Sequence, residues 1–455
     1  MDKKIRLVII LTSAVIFVVA GAYLFLYSQG IRVDFAKWRL VKTGGFDVQV
    51  TSPSGADIYL NNKKNKTTSF LSSSVFIKNL LPRAYKVEIK KDGYLSWQKN
   101  LSVEEGLVTK IKNIVLFKQN ADFENVAQDI ENFWASRNGQ RILAQSKLNQ
   151  SWGFSLIEAS SKKAPTVLFD QSSLKEKGIT PLLQDWQDEN RRILFHASTS
   201  LEDKIWIVQY DNPEKPEIST LPIEKEVTKI AFLAKDTSQV VYLKSNNLYT
   251  LDFKEKVPPR KLIANKVLWF DVTQDNLYYL TQNGFIVKAA SNPQDKGDIL
   301  NQTPIEVSGS PQFKIYDNAG SLLLHFNQGL YYLTDRELTK LTQVIQGLDD
   351  SLSPTNFCFW GNQEIWLFDN SQSEKNPKFL NRFWKSPNNV FWLNPEYLVF
   401  NIGDEIKITE LDERDYLNII TIKSFKEPKI YFNHSDKKLY VLSEKTLYSS
   451  ERLLP

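Results

Sequence analysis

The chain has 455 residues, a formal charge of +5 and a single cysteine, Cys358. That length exceeds one ordinary core, so more than one folded unit is expected. The cations are interleaved with acids rather than gathered in a stripe, which argues against a nucleic-acid binder. A lone cysteine rules out an intramolecular disulfide, and its neighbours Phe357, Phe359 and Trp360 point to a buried, inert thiol.

The first element is an apolar run from Leu7 to Tyr27 without a charged residue, preceded by Lys3, Lys4 and Arg6. As a helix it spans roughly 31 Å, close to the hydrocarbon thickness of a bilayer. Residues 1–30 therefore read as a cytoplasmic tip and a transmembrane helix. A cleaved secretory signal is the alternative, since Ala20-Gly21-Ala22 resembles a small-residue cleavage site. The bulky residues Tyr23 to Tyr27 that follow favour an uncleaved anchor. The leading cations place the N-terminus in the cytoplasm and the bulk of the chain outside it, although Arg32, Lys37, Arg39 and Lys42 follow the helix. A reversed orientation would make the protein a cytoplasm-facing scaffold.

Residues 31–45 read as a linker ending in Gly44-Gly45. Period-2 alternation then begins. Tyr85, Val87 and Ile89 share one face of a strand, and Lys86, Glu88 and Lys90 the other. Asp57 to Leu60 leads into a polar turn, Asn61 to Asn65. Further strands are expected around Ser74 to Ile77, Trp97 to Val103 and Val108 to Leu116, with turns at Pro53-Ser54-Gly55, Leu81-Pro82 and Asp92-Gly93. Lys63, Lys64 and Lys66 are expected at a solvated hairpin tip.

Val48 to Leu60, with its Ser52-Pro53-Ser54-Gly55-Ala56 turn, resembles the opening of a PEGA domain. Leu81-Pro82-Arg83-Ala84-Tyr85 and Lys91-Asp92-Gly93-Tyr94 stand where that family has its Pro-Gly-x-Tyr and Lys-x-Gly-Tyr landmarks. Arg83 replaces the family's glycine, and Thr67-Thr68 its Thr-Pro. The resemblance implies a small β-sandwich over residues 46–117, a binding or spacer module common in envelope proteins and not known for catalysis.

From residue 120 to 455 a loose unit repeats: an aromatic-containing strand, a polar turn, an apolar strand, a second turn, and a strand rich in Leu, Ile or Tyr. It starts near Phe133, Trp186, Ile230, Trp269, Phe313, Phe357, Val390 and Ile430. A period of about 40 residues is that of a four-stranded propeller blade. The pattern resembles the divergent propellers grouped as WD40-like or TolB-like, without their Trp-Asp dipeptide. Seven or eight blades fit, because the terminal strands can combine to close one. The expected fold is mostly β: an N-terminal helix, a small PEGA-like sandwich and a β-propeller.

The chemistry-bearing motifs are missing. There is no G-x-S-x-G elbow, phosphate loop or dinucleotide fingerprint. His196, His325 and His434 sit beside apolar strands, none with a second His or Cys at metal-ligand spacing. Asp349-Asp350 and Glu410-Leu411-Asp412-Glu413 read as solvated loops, and the triplets at Asn65, Asn100 and Asn301 as chance glycosylation matches. No catalytic, metal or cofactor site is expected, and no cofactor. The expected function is a membrane-anchored extracytoplasmic binding scaffold of the cell envelope, with an envelope protein or cell-wall polymer as partner. The alternative is a propeller-based envelope enzyme, a glycan lyase or hydrolase, whose acids and bases would converge on the central funnel.

Overall fold

The computed structural model describes residues 3–35, 38–69, 73–148, 151–159, 161, 163–174, 179–198, 203–223, 225–233, 238–255, 259–273, 276–290, 296–307, 313–318, 321–342, 344–352, 355–372 and 375–455. They divide into two compact units. One comprises Met1–Ala121, Ile408–Lys423 and Leu453–Pro455, the other Asp122–Lys407 and Ser424–Arg452.

The first unit opens with helix α1, Lys3–Ser28. Most of its apolar side chains are exposed, Phe17 to 79% and Val18 to 67%. Such a helix is long and apolar enough to cross a membrane, and a signal sequence has the same character. The Thr12 hydroxyl bonds the Val8 carbonyl at 2.8 Å, so it is satisfied within the helix, as a nonpolar surrounding demands. The segment expected to be a linker carries two strands instead. Strands β1 (Ile31–Asp34) and β2 (Arg39–Lys42) form an antiparallel hairpin that pairs Ile31 with Lys42 and Asp34 with Arg39.

Next come β3 (Gly44–Ser52), β4 (Asp57–Leu60), β5 (Lys63–Thr67), β6 (Ser74–Leu80), β7 (Ala84–Lys90), β8 (Trp97–Ser102) and β9 (Val108–Val115). They make two sheets, ordered β6-β3-β9 and β5-β4-β7-β8, with β3 and β9 parallel. Phe46, Val48 and Val50 of one sheet and Ile58, Val87 and Ile89 of the other meet in one core, which makes the pair a sandwich. The alternation read in β7 holds for Tyr85, Val87 and Ile89. Its polar face is less solvated than expected, because Glu88 is buried and ion-paired with Lys90 at 2.9 Å. The turn after β4 is only Asn61-Asn62, both left-handed at φ +49° and +65°. The lysines expected at its tip therefore fall on β5, where Lys64 pairs with Asp57 at 2.7 Å. Gly55 and Gly93 hold the φ values of +73° and +81° that their turns require.

The second unit is built from repeated four-stranded sheets. Eight of them, here I to VIII, follow along the chain among the described residues. Their first strands are Ile130–Ala135, Leu182–Gln187, Val227–Phe232, Val267–Val272, Phe313–Asn318, Gly347–Asp349, Asn388–Asn394 and Lys429–Asn433. Seven coincide with the repeat starts read from sequence. The exception is sheet VI, where Phe357 lies on the second strand, Asn356–Gly361. Sheet VIII is completed from far upstream, since Phe123–Ala127 pairs with the last strand, Thr446–Arg452.

The core is divided among the junctions between sheets. Phe154 of sheet I meets Phe195 of sheet II at 4.6 Å between ring centroids. Further clusters join II to III, III to IV, IV to V and V to VI, and one joins VIII back to I through Tyr440, Leu447, Ile142 and Ile157. Sheets that pack face to face in succession and return to the first have the arrangement of propeller blades.

Candidate functional site

The first strands of successive sheets touch one another, II with III, III with IV, IV with V, VI with VII and VII with VIII. A slip in register precedes Asn132, Asp185, Lys229 and Trp269 in the first strands of sheets I to IV. Such bulges re-aim the next side chain. In sheets II and III the residue that follows is charged, Asp185 and Lys229. Asp185 accepts a hydrogen bond from the Phe232 amide of sheet III at 2.8 Å. Asp271 accepts one from Ile315 of sheet V at 2.9 Å, and Asp349 one from Trp392 of sheet VII at 2.9 Å. Sheets II, IV and VI thus each reach the next sheet with a carboxylate.

Lysines occupy the alternate positions. Lys229 donates to the Phe270 carbonyl at 2.6 Å and stands 3.5 Å from Asp271. Lys429 of sheet VIII donates to Asn132 and, at 3.4 Å, to the Phe133 carbonyl of sheet I. Lys314 of sheet V lies over the Tyr316 ring, 4.7 Å from its centroid. Burial pushes the Asp185 carboxyl up and the Lys229 and Lys429 ammoniums down. Burial would also lower Lys314, but Tyr316, Asp350 and Asp271 hold it above its ordinary value. Acids and bases do converge on the innermost strands. Most of them bridge neighbouring sheets, so their hydrogen-bonding capacity is largely used within the fold.

One cluster keeps a reactive group in reach. Ser351, after the first strand of sheet VI, donates to Asp349 at 2.8 Å, and its Oγ lies 2.9 Å from Nε2 of His434 in sheet VIII. Burial lowers the His434 pKa, which favours the neutral imidazole. Burial also pushes Asp349 up to about 6. Asp349 is therefore not the solvated acid expected from sequence; it is 7% exposed.

Glu410 corrects the same expectation in the first unit. It is paired with Lys99 at 2.7 Å, with side chains 3% and 0% exposed, and it accepts from Trp97 Nε1 at 2.7 Å. Asn301, read as a chance glycosylation triplet, is buried and bonds the backbone of Ile286, Gly284 and Thr303. Cys358 is fully buried, and burial raises its thiol pKa well above the ordinary value. His196 lies 3.4 Å from Asp203, and burial lowers the pKa of His325. No group of three His, Cys, Asp or Glu placed to hold a metal ion occurs among the described residues.

No protein-family model matches the chain, and no curated protein matches it in sequence. Solved structures match at the level of fold. Sqt1 of Saccharomyces cerevisiae is 10% identical, with 74% of this chain and 99% of that one covered and a TM-score of 0.46. Hsv2 of Kluyveromyces lactis is 12% identical over 66% of this chain and all of its own, at 0.42. The β-propeller domain of Myceliophteria thermophila Cps50 (Swd1) is 12% identical over 66% and 99%, at 0.40. The sheet order and the shared junction cores are the marks of a propeller.

Proposed function

We propose that this protein is a membrane-anchored scaffold of the cell envelope, held by α1 as a single pass and presenting a PEGA-like sandwich and an eight-bladed propeller outside the cytoplasm. The observation that carries the reading is α1 itself, an apolar helix of bilayer length whose side chains are mostly exposed and which leads directly into folded β structure. The inner-strand charges support binding over catalysis, because most are committed to neighbouring sheets. A propeller then offers its loops and rims to an envelope protein or a cell-wall polymer. The test is protease treatment of intact cells carrying a tag after Pro455. Loss of the tag with the protein still in the membrane fraction is the expected result, and protection until lysis would refute the orientation.

A second reading, an envelope hydrolase, is favoured by Ser351 and His434 at 2.9 Å, a distance suited to a nucleophile and its base. The wiring opposes it, because the Ser351 hydroxyl donates to Asp349 instead of to the imidazole. A fluorophosphonate probe that labels the wild type and spares Ser351→Ala would favour the enzyme; no labelling would leave the scaffold.

A further inference from the structure

The hairpin of β1 and β2 is two-faced. Cross-strand partners share a face, so the pairing Ile31–Lys42 and Val33–Leu40 sets Ile31, Val33, Leu40 and the terminal Lys42 on one side. Asp34, Arg39, Arg32 and Val41 take the other side, where Asp34 and Val41 are buried at 8% and 1% exposure. The apolar side has no such cover. Leu40 is 56% exposed, and beyond the strand ends Phe35 is 73% and Trp38 83% exposed. The two rings meet edge to face at 6.2 Å, forming an aromatic pair in open solvent. Trp38 also holds a left-handed φ of +48°, unfavourable for a bulky residue.

The hairpin cannot drift from the helix. Only Gln29 and Gly30 separate them, and the Gly30 carbonyl accepts from both the amide and the hydroxyl of Thr43, each at 2.8 Å. Arg32 bonds the Tyr27 carbonyl at 2.9 Å, with its guanidinium 3.4 Å from the centroid of the Tyr27 ring. A four-residue strand is about 13 Å long. The polar layer beyond the hydrocarbon is roughly 5–7 Å thick on each side of a bilayer. Starting at the end of a spanning helix, a hairpin laid flat stays within that layer.

We propose that the exposed face of this hairpin rests on the bilayer surface, with Phe35, Trp38 and Leu40 among the lipid headgroups and Lys42 beside anionic phosphates. Aromatic rings favour this depth, and exposed cations match an anionic surface. The proposal rests on α1 being a membrane span. It gives the exposed aromatic pair a partner of fitting polarity, and it fixes how the chain leaves the membrane.

The test uses the full chain in vesicles of phosphatidylcholine and phosphatidylglycerol, with lipid brominated on its acyl chains as quencher. Cys358 is fully buried and does not compete for a thiol-reactive bimane label. The label is placed by Ala14→Cys, within the helix, by Trp38→Cys, and by Val167→Cys, an exposed apolar site in sheet I. The expected result is loss of more than half of the emission at positions 14 and 38, with position 167 unaffected. Quenching at 14 but not at 38 would overturn the hairpin proposal and leave the span standing. No quenching at 14 would overturn both. Adding Phe35→Ser and Leu40→Ser to the Trp38→Cys protein should relieve the quenching at 38; quenching that persists would reduce it to mere proximity and overturn the proposal.

Discussion

Replacing Lys99 by Met probes the most deeply buried charge in the first unit. The ammonium has 0% side-chain exposure and lies 2.7 Å from Glu410. It donates to the carbonyls of Asp412 at 2.6 Å and Arg414 at 2.9 Å, and also to that of Tyr416. Methionine fills the volume and supplies no donor. Glu410 would keep Trp97 Nε1 at 2.7 Å and Asn418 Nδ2 and N at 2.7 and 3.1 Å, but no directly paired counter-charge. Removing one partner of a buried pair costs about 3–5 kcal/mol. The three remaining donors put the expectation at the lower end, about 3 kcal/mol. Adding Glu410→Gln removes the stranded charge and should recover about 2 kcal/mol of it. Native-state hydrogen exchange read on peptides covering 97–102 and 408–418 measures both. A loss below about 1 kcal/mol for the single variant, or a double variant equal to the sum of the singles, would refute the reasoning.

Two further predictions concern the second unit. The Asp349 carboxyl, raised by burial from 3.8 to about 6, favours its protonated form in the folded state. Its contribution is thus fully present below the unfolded value and is lost as pH rises through 6, a change of at most about 3 kcal/mol. Asp349→Asn should flatten the thermal stability profile between about pH 4 and 7 and melt above the wild type at alkaline pH. An identical slope in both proteins would show that another group sets it. Gln363 is the second residue of a tight turn with Asn362, at φ +69° and +49°. Gln363→Gly relieves the side-chain clash of the left-handed backbone and should stabilise by about 0.5–1 kcal/mol, read as a rise in melting temperature; a fall would contradict the turn assignment.

Much of this architecture is legible in the sequence, for a local reason. The α1 run and the alternation of Tyr85, Val87 and Ile89 are patterns within a few residues. Seven first strands of the sheets carry the repeat, whereas Gly347–Asp349 is three residues without an aromatic. There the motif slides onto Phe357 and Phe359 of the next strand. The sequence of the β1–β2 hairpin predicts only a linker, because its apolar face is a few residues long and is interrupted by cations. Glu410 read as solvated because its partners are remote, Trp97 being 313 residues away. The inner-strand bridges left a faint trace: a charged residue beside a large apolar one in an otherwise apolar strand, as in Asp185-Trp186, Phe270-Asp271 and Lys429-Ile430. Such a pair predicts a polar partner but cannot say that it is the backbone of the next sheet.

The pairing of Phe123–Ala127 with Thr446–Arg452 has a consequence for how the molecule is made. Phe123 opposes Ser450, and the Asp122 amide reaches Glu451 across 329 residues. Closing a flexible loop of that length costs about 5 kcal/mol in chain entropy, to be met before the final strand pairs form. During synthesis every earlier sheet can assemble against its predecessor, but the ring stays open until Thr446–Arg452 has emerged. Until then sheet VIII lacks a member, and strand edges and junction side chains that the finished ring covers are open to other chains. Synthesis halted before Thr446 would leave that sheet unfinished, with an unclosed and adhesive rim.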